Sequence, residues 1–199
     1  LGLMKAQGFA VDVGRRGLMV ASLTPRYVSS MYEVRGALDI LAGRLSAQRC
    51  EKEKGARKQA KEKFDRLFAE GSSALEARSV ANLIAADVAF HSYIYTLSDN
   101  TVIDETMQLL WNRMRWVMSA YLRKFDWARG TWDEHHRIVK AILAGDANSA
   151  EARVREHLGT ATDLIEGSIA SESSPGLGGH NVLPPRPIEG AGAKWEVKE

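Results

Sequence analysis

Asp87 and His91 stand four residues apart in the stretch Asp87-Val88-Ala89-Phe90-His91, among Val80, Leu83, Ile84 and Ile94. At helical spacing all six share one face, so a carboxylate and an imidazole point where a core belongs. An ionised carboxylate buried without a partner costs several kcal/mol or more. A bound metal ion is one way to offset that cost, and the i, i+4 spacing lets both side chains reach one ion from adjacent turns.

Two more histidines show the same pattern. His135 lies on the stripe His135, Ile138, Val139, Ile142, and His157 on the stripe Ala150, Val154, His157, Ala161, Leu164. Asp87, His91, His135 and His157 are therefore candidate ligands on inward faces. A carboxylate with neutral imidazoles suits a divalent zinc, nickel, iron or manganese ion, and the donor set alone does not choose among them. Each residue also has a bland reading. A single His on an apolar face is more often a hydrogen-bonded core residue, and Asp87 could pair with Arg113 or Arg115. His136 sits beside its stripe and His180 in a polar tail, so both fall outside the set.

The elements that must position these groups are helical. Thr24-Pro25 suits a helix start, with a hydroxyl cap and then proline where its missing N–H does no harm. Met31, Val34, Leu38, Leu41 and Leu45 then form an apolar stripe flanked by Arg35 and Asp39. The pattern predicts a first helix to about Lys54 and a second from Ala56 to Phe68, with a turn at Gly71-Ser72-Ser73. Further helices are expected over 79–97, 101–123, 132–144 and 147–169, with a loop at 124–131. Gly145-Asp146 reads as a stop followed by a restart. Before residue 24, Phe9, Val11 and Val13 alternate, Gly14-Arg15-Arg16-Gly17 makes a turn, and Leu18 to Ala21 is apolar, which suggests a β-hairpin. Residues 1–7 could end a helix stopped by Gly8. Four of the five prolines and five glycines lie in 171–199. That tail has too few aliphatic residues to offset its ordering entropy, and we expect it to be disordered.

The 199 residues suffice for one moderate core plus an appendage. A net charge of +2 is too small for bulk electrostatics to imply nucleic-acid binding. The single cysteine, Cys50, excludes an intrachain disulfide and fits a reducing cytoplasm. No apolar run approaches the roughly 18 residues of a membrane span. The chain starts at Leu1 rather than Met, so we expect a preceding segment.

Several of these stretches resemble one family. Asp87-Val-Ala-Phe-His91 followed by Ser98-Asp99-Asn100 is similar to the D-x-x-F-H…S-G-N signature of the FadR-type ligand-binding (FCD) domain of GntR transcription regulators. Tyr32-Glu33-Val34-Arg35-Gly36-Ala37-Leu38-Asp39 resembles its opening helix. Glu134-His135-His136-Arg137-Ile138 with Gly145-Asp146, and Glu156-His157-Leu158, resemble its later motifs. The likeness covers residues 25 to about 167. Asp99 departs from the family's usual glycine. Counting back from Gly145-Asp146 puts the ligand histidine at His135, as the apolar stripe does.

The resemblance implies an all-α bundle of six to seven antiparallel helices, preceded by a β-hairpin that is the remnant of a winged helix-turn-helix. The expected domains are 1–23 for that remnant, 24–170 for the effector-binding and dimerisation domain, and 171–199 for the tail. It further implies a cytoplasmic homodimer that binds DNA, a divalent metal (zinc first) and a small carboxylate effector. Arg35 is placed as a clamp on the effector or, equally, as a salt-bridge partner of Asp39. Asn100 is placed with the effector, and Arg15 and Arg16 on DNA phosphate or in the minor groove. Two other readings stay open: a metal-dependent hydrolase, for which no general base stands out, and a helical dimerisation module without a ligand.

Overall fold

The computed structural model describes residues 2, 10–14, 17–20, 24–121 and 126–172. Apart from residue 2, the expected helix end at 1–7 lies outside them, as do Arg15, Arg16 and the tail beyond 172. The chain divides into two compact units, and the helical one is Pro25–Ser174.

In the other unit, β1 (Ala10–Asp12) pairs antiparallel with β2 (Leu18–Val20), with Val11 opposite Met19. Gly14 and Gly17 both take left-handed backbone angles, with φ of 66° and 84°. L side chains rarely adopt that region, so two glycines make the tight reversal possible.

The helical unit contains α1 (Pro25–Lys52), α2 (Lys54–Glu76), α3 (Val80–Leu97), α4 (Thr101–Tyr121), α5 (Asp126–Ala144) and α6 (Ala147–Glu172). These six, among the described residues, form the expected all-α bundle. Helix α1 is its hub and packs against each of the other five. Its inward face carries Val28, Met31, Arg35, Asp39, Ala42 and Ser46. Polar groups therefore lie at the centre of the bundle as well as at its edge.

Helix α6 runs to Glu172, three residues past the expected end and into the first two residues of the expected tail; two other boundaries differ more. Helix α2 runs straight through Gly71-Ser72-Ser73 instead of turning there. The glycine provides space: a Cβ at Gly71 would sit 2.4 Å from Cη2 of Trp132 on α5. Helix α5 starts at Asp126, not near Trp132, and brings the buried Ala128 into the cluster with Ala74, Leu83, Ala86 and Trp132.

The caps follow local chemistry. Ser79 accepts a hydrogen bond from the Asn82 N–H at 3.3 Å and opens α3. Asp99, in the turn after α3, has φ +59°, the region in which glycine is easiest and Asp is tolerated. Gly145 closes α5 at φ +77°, with its N–H on the Ile142 carbonyl and the Asp146 N–H on that of Ala141. This is the Schellman pattern, and Asp146 then caps α6 by accepting from the Ser149 N–H.

Candidate metal centre

Helices α3, α5 and α6 bring His91, His135 and His157 together. Their exposures are 2%, 0% and 2%. One nitrogen from each ring lies within 4.8 Å of the other two. His91 Nε2 and His157 Nε2 face each other at 3.3 Å. Asp87, one turn before His91, is also buried. Its Oδ1 lies 3.4 Å from His135 Nε2 and 3.8 Å from His91 Nε2. Neither Arg113 nor Arg115 partners it: Arg113 bonds the Tyr27 hydroxyl instead. The exposed His136 points away from the cluster and stacks on Phe68.

The rings are held by different means. His157 Nδ1 is hydrogen-bonded to Glu134 Oε2 at 2.8 Å. His91 Nδ1 faces Asp39 Oδ2 at 3.4 Å. His135 stacks on Phe90 at 3.9 Å between centroids and meets Trp132 edge-on. Neither nitrogen of His135 has a hydrogen-bond partner, the 3.4 Å approach of Asp87 being too long for a good one.

Asp39 is a junction. It accepts from Arg35 Nε at 3.1 Å and from the Tyr95 hydroxyl, and both its carboxylate and the Arg35 guanidinium are 2% exposed. Arg35 also lies over the Trp111 ring at 5.0 Å. Its Nη2 is buried without a partner. Beside it is a cavity of about 30 Å³, floored by Tyr32, Arg35, Asp87 and His157. Met118, Leu164 and Ile165 form apolar wall, and Thr131 and Ala161 complete the lining. At roughly 10–15 Å³ per water centre, this is room for about two waters or a small organic group.

Burial dominates the electrostatics. It pushes His91 and His135 well below the ordinary imidazole range, helped by the Arg35 charge and by neighbouring histidines. Burial raises Asp87, with Arg35 and His157 opposing. Tyr32 is pushed up to about 12, again mainly by burial. Burial is the largest influence on Glu134 and would raise it, but hydrogen bonding and electrostatic attraction to His157, with Thr160 and Arg137, together outweigh that and hold it below the usual range.

These residues fit a divalent ion. Metal ligation requires neutral imidazole, which burial favours at His91 and His135. Two ligands on a tetrahedral ion, with bonds of roughly 2.0–2.1 Å, stand about 3.3–3.4 Å apart, as the two facing Nε2 atoms do. Without a cation, the two Nε2 atoms must either share a proton in a His–His hydrogen bond or face each other as repelling lone pairs, and His135 leaves buried nitrogens unsatisfied.

Asn100 does not line the cavity. It sits in the turn before α4, its N–H on Ser98 Oγ at 3.3 Å. Sequence periodicity missed the site role of Glu134, because that contact reaches across to α6. Asp39 was visible only as a possible partner of Arg35.

Comparisons with known proteins agree on the fold. Residues 30–160 match the family model of the FCD domain. A solved structure of E. coli McbR/YncC superposes with a TM-score of 0.71 at 16% identity, covering 83% of this chain and 80% of that one. A putative transcriptional regulator GntR from Rhodococcus sp. RHA1 gives 0.67 at 20% identity, covering 83% and 76%. A Streptococcus agalactiae GntR gives 0.57 at 16%, covering 81% and 78%. No curated protein sequence gives a significant match. A bundle of six helices hubbed on α1, matched over most of its length by one family model, identifies the chain as a member of the FCD-domain family, the helical domain of FadR-type GntR regulators.

Proposed function

We propose that the chain is the effector-sensing part of a GntR-type transcription regulator. In this reading Asp87, His91, His135 and His157 hold a divalent metal, zinc first, and a small organic acid binds beside it against Arg35. The observation that carries the reading is the buried cluster of three imidazoles, with His135 unpartnered and two Nε2 atoms face to face. A bound ion supplies a Lewis-acidic position for a carboxylate oxygen.

The protein's own groups do the rest. Arg35 is half engaged by Asp39, and its free Nη2 can take a carboxylate. The charges of Arg35 and Asp39 cancel, and Asp87 offsets half of a divalent ion. About one positive charge remains, which suits a carboxylate monoanion. The apolar wall accepts the rest of a small acid and excludes water.

Arg35 lies on α1 and His157 on α6, so an acid held at the cavity favours one packing of those helices over others. In a homodimer that bias alters the spacing of two DNA-binding heads. Residues 1–23 are then the remnant of such a head, with Arg15 and Arg16 at DNA, 24–170 the sensor, and 171–199 a tail without assigned role. The protein acts in the cytoplasm by binding, not turnover. Among the described residues no helix is long and apolar enough to cross a membrane.

Metal analysis of the purified chain, followed by thermal-shift screening of organic acids, tests this. About one divalent ion per chain is expected, with a further rise in Tm for some acids. A chain that takes up no metal, and whose Tm ignores zinc and acids alike, refutes the proposal.

A further inference from the structure

Three carboxylates surround the histidine cluster, and they are not equivalent. Asp87 presents its oxygen to the same side as the imidazole nitrogens that face one another. Asp39 and Glu134 lie behind two of the rings, against Nδ1 of His91 and His157. Asp39 is fully engaged, since Arg35 and the Tyr95 hydroxyl both donate to it. Glu134 is different. Its side chain is 15% exposed, and His157 is its close partner at 2.8 Å. It precedes His135 in sequence, so one turn of α5 carries both a candidate ligand and the group that grips the ring from α6.

We propose that Glu134 is a positioning residue that makes His157 a metal ligand, by keeping the imidazole proton on Nδ1 and the lone pair on Nε2.

The geometry shows what it prevents. A neutral imidazole has one N–H. If the His157 proton moved to Nε2, that N–H would face His91 Nε2 across 3.3 Å. The pair would then form a His–His hydrogen bond and withdraw both metal-facing nitrogens at once. Glu134 favours the other tautomer, because a carboxylate accepts and cannot donate. It also makes the imidazole a stronger base toward an ion, as carboxylate partners of ligating histidines do. Asp39 stands in the corresponding place behind His91, but its removal would also leave Arg35 buried without its counter-charge. Glu134 is thus the residue whose loss separates positioning from folding.

This rests on the metal-binding reading above, and the test keeps the two apart. Zinc affinity is measured by competition with a chromophoric chelator for the whole chain and for Glu134→Leu and Glu134→Gln. The tautomer of His157 is read in the zinc-free proteins from imidazole nitrogen chemical shifts. Glu134→Leu is expected to weaken zinc binding about 10- to 100-fold and to move the His157 proton to Nε2. Glu134→Gln offers an amide oxygen to the Nδ1 proton and recovers part of the loss. It also carries the same two readouts if the Leu variant does not fold. Zinc affinity within about twofold of the unaltered chain, or a His157 tautomer that ignores both substitutions, overturns the proposal and leaves the metal site standing. A chain that binds no zinc at all overturns both.

Discussion

Replacing His135 with Phe separates a ligand from a packing residue, because only a ligand's loss abolishes the response to zinc. The ring is 0% exposed, stacked on Phe90 and edge-on to Trp132. A phenyl ring fits those aromatic contacts. It also removes two nitrogens that have no hydrogen-bond partner. An unsatisfied buried polar group costs about 1–3 kcal/mol. The slightly larger ring returns about 1 kcal/mol of that as crowding, at the low end for overpacked cores. The metal-free variant should therefore be as stable as the unaltered chain or about 1–2 kcal/mol more stable. For a unit of roughly 150 residues that is a rise of a few degrees in Tm. Zinc at a hundredfold excess over Kd should add about 2.7 kcal/mol to the unaltered chain and almost nothing to His135→Phe. Thermal unfolding with EDTA and then with zinc gives all four numbers. A metal-free His135→Phe that melts well below the unaltered chain, with its zinc shift intact, would falsify the ligand assignment.

Other outcomes follow from the same geometry. Arg35→Lys keeps a positive charge for Asp39 but loses the planar fork; calorimetric titration should show effector affinity falling at least about tenfold, with zinc affinity little changed. Equal effector affinity would remove Arg35 from the site. Gly71→Ala would gain about 1 kcal/mol from helix propensity alone, yet its Cβ meets the Trp132 ring at 2.4 to 2.7 Å. Chemical denaturation should show a net loss of up to about 2 kcal/mol, and net stabilisation would contradict the close approach. The pH dependence has a definite sign. His91 and His135 are held well below 6.5 in the folded state, so below that pH the unfolded chain binds more protons. Their stabilisation is complete above pH 6.5 and fades as pH falls toward the folded values, by up to about 1.4 kcal/mol per histidine per pH unit. Asp87 is shifted up and works in the opposite direction. The scan therefore belongs in Asp87→Asn with EDTA present, where a Tm that stays flat or rises from pH 6.5 to 5 would contradict burial of neutral imidazoles.

The sequence told the helix faces well and the helix ends less well. Asp87, His91, His135 and His157 could be put on inward faces because each sits on a 3.6-residue apolar stripe, and burial obeys that period. Gly71 misled because a glycine that makes room for a neighbour looks the same in sequence as one that makes a turn. The early start of α5 at Asp126 was hidden because Asp126 to Thr131 has too few apolar residues to show a period. Glu134 against His157 could not be read at all. The contact joins two helices, and its geometry depends on their crossing. Asn100 shows the converse: a recurrent motif position can serve the backbone of a turn and not the cavity.

The spread of the histidines over α3, α5 and α6 has a kinetic consequence. No single helix or hairpin of helices holds more than part of the cluster, and every ring is nearly sealed from solvent. An ion bound there would leave only after ligands on all three helices let go together. Exchange of the ion would then be slow. The cavity beside Arg35 reaches the half-buried Thr131, Ala161 and Leu164, so a small acid could come and go without such an opening. One site would then run on two clocks, with the ion installed once, near folding, and the acid exchanging many times during that ion's residence.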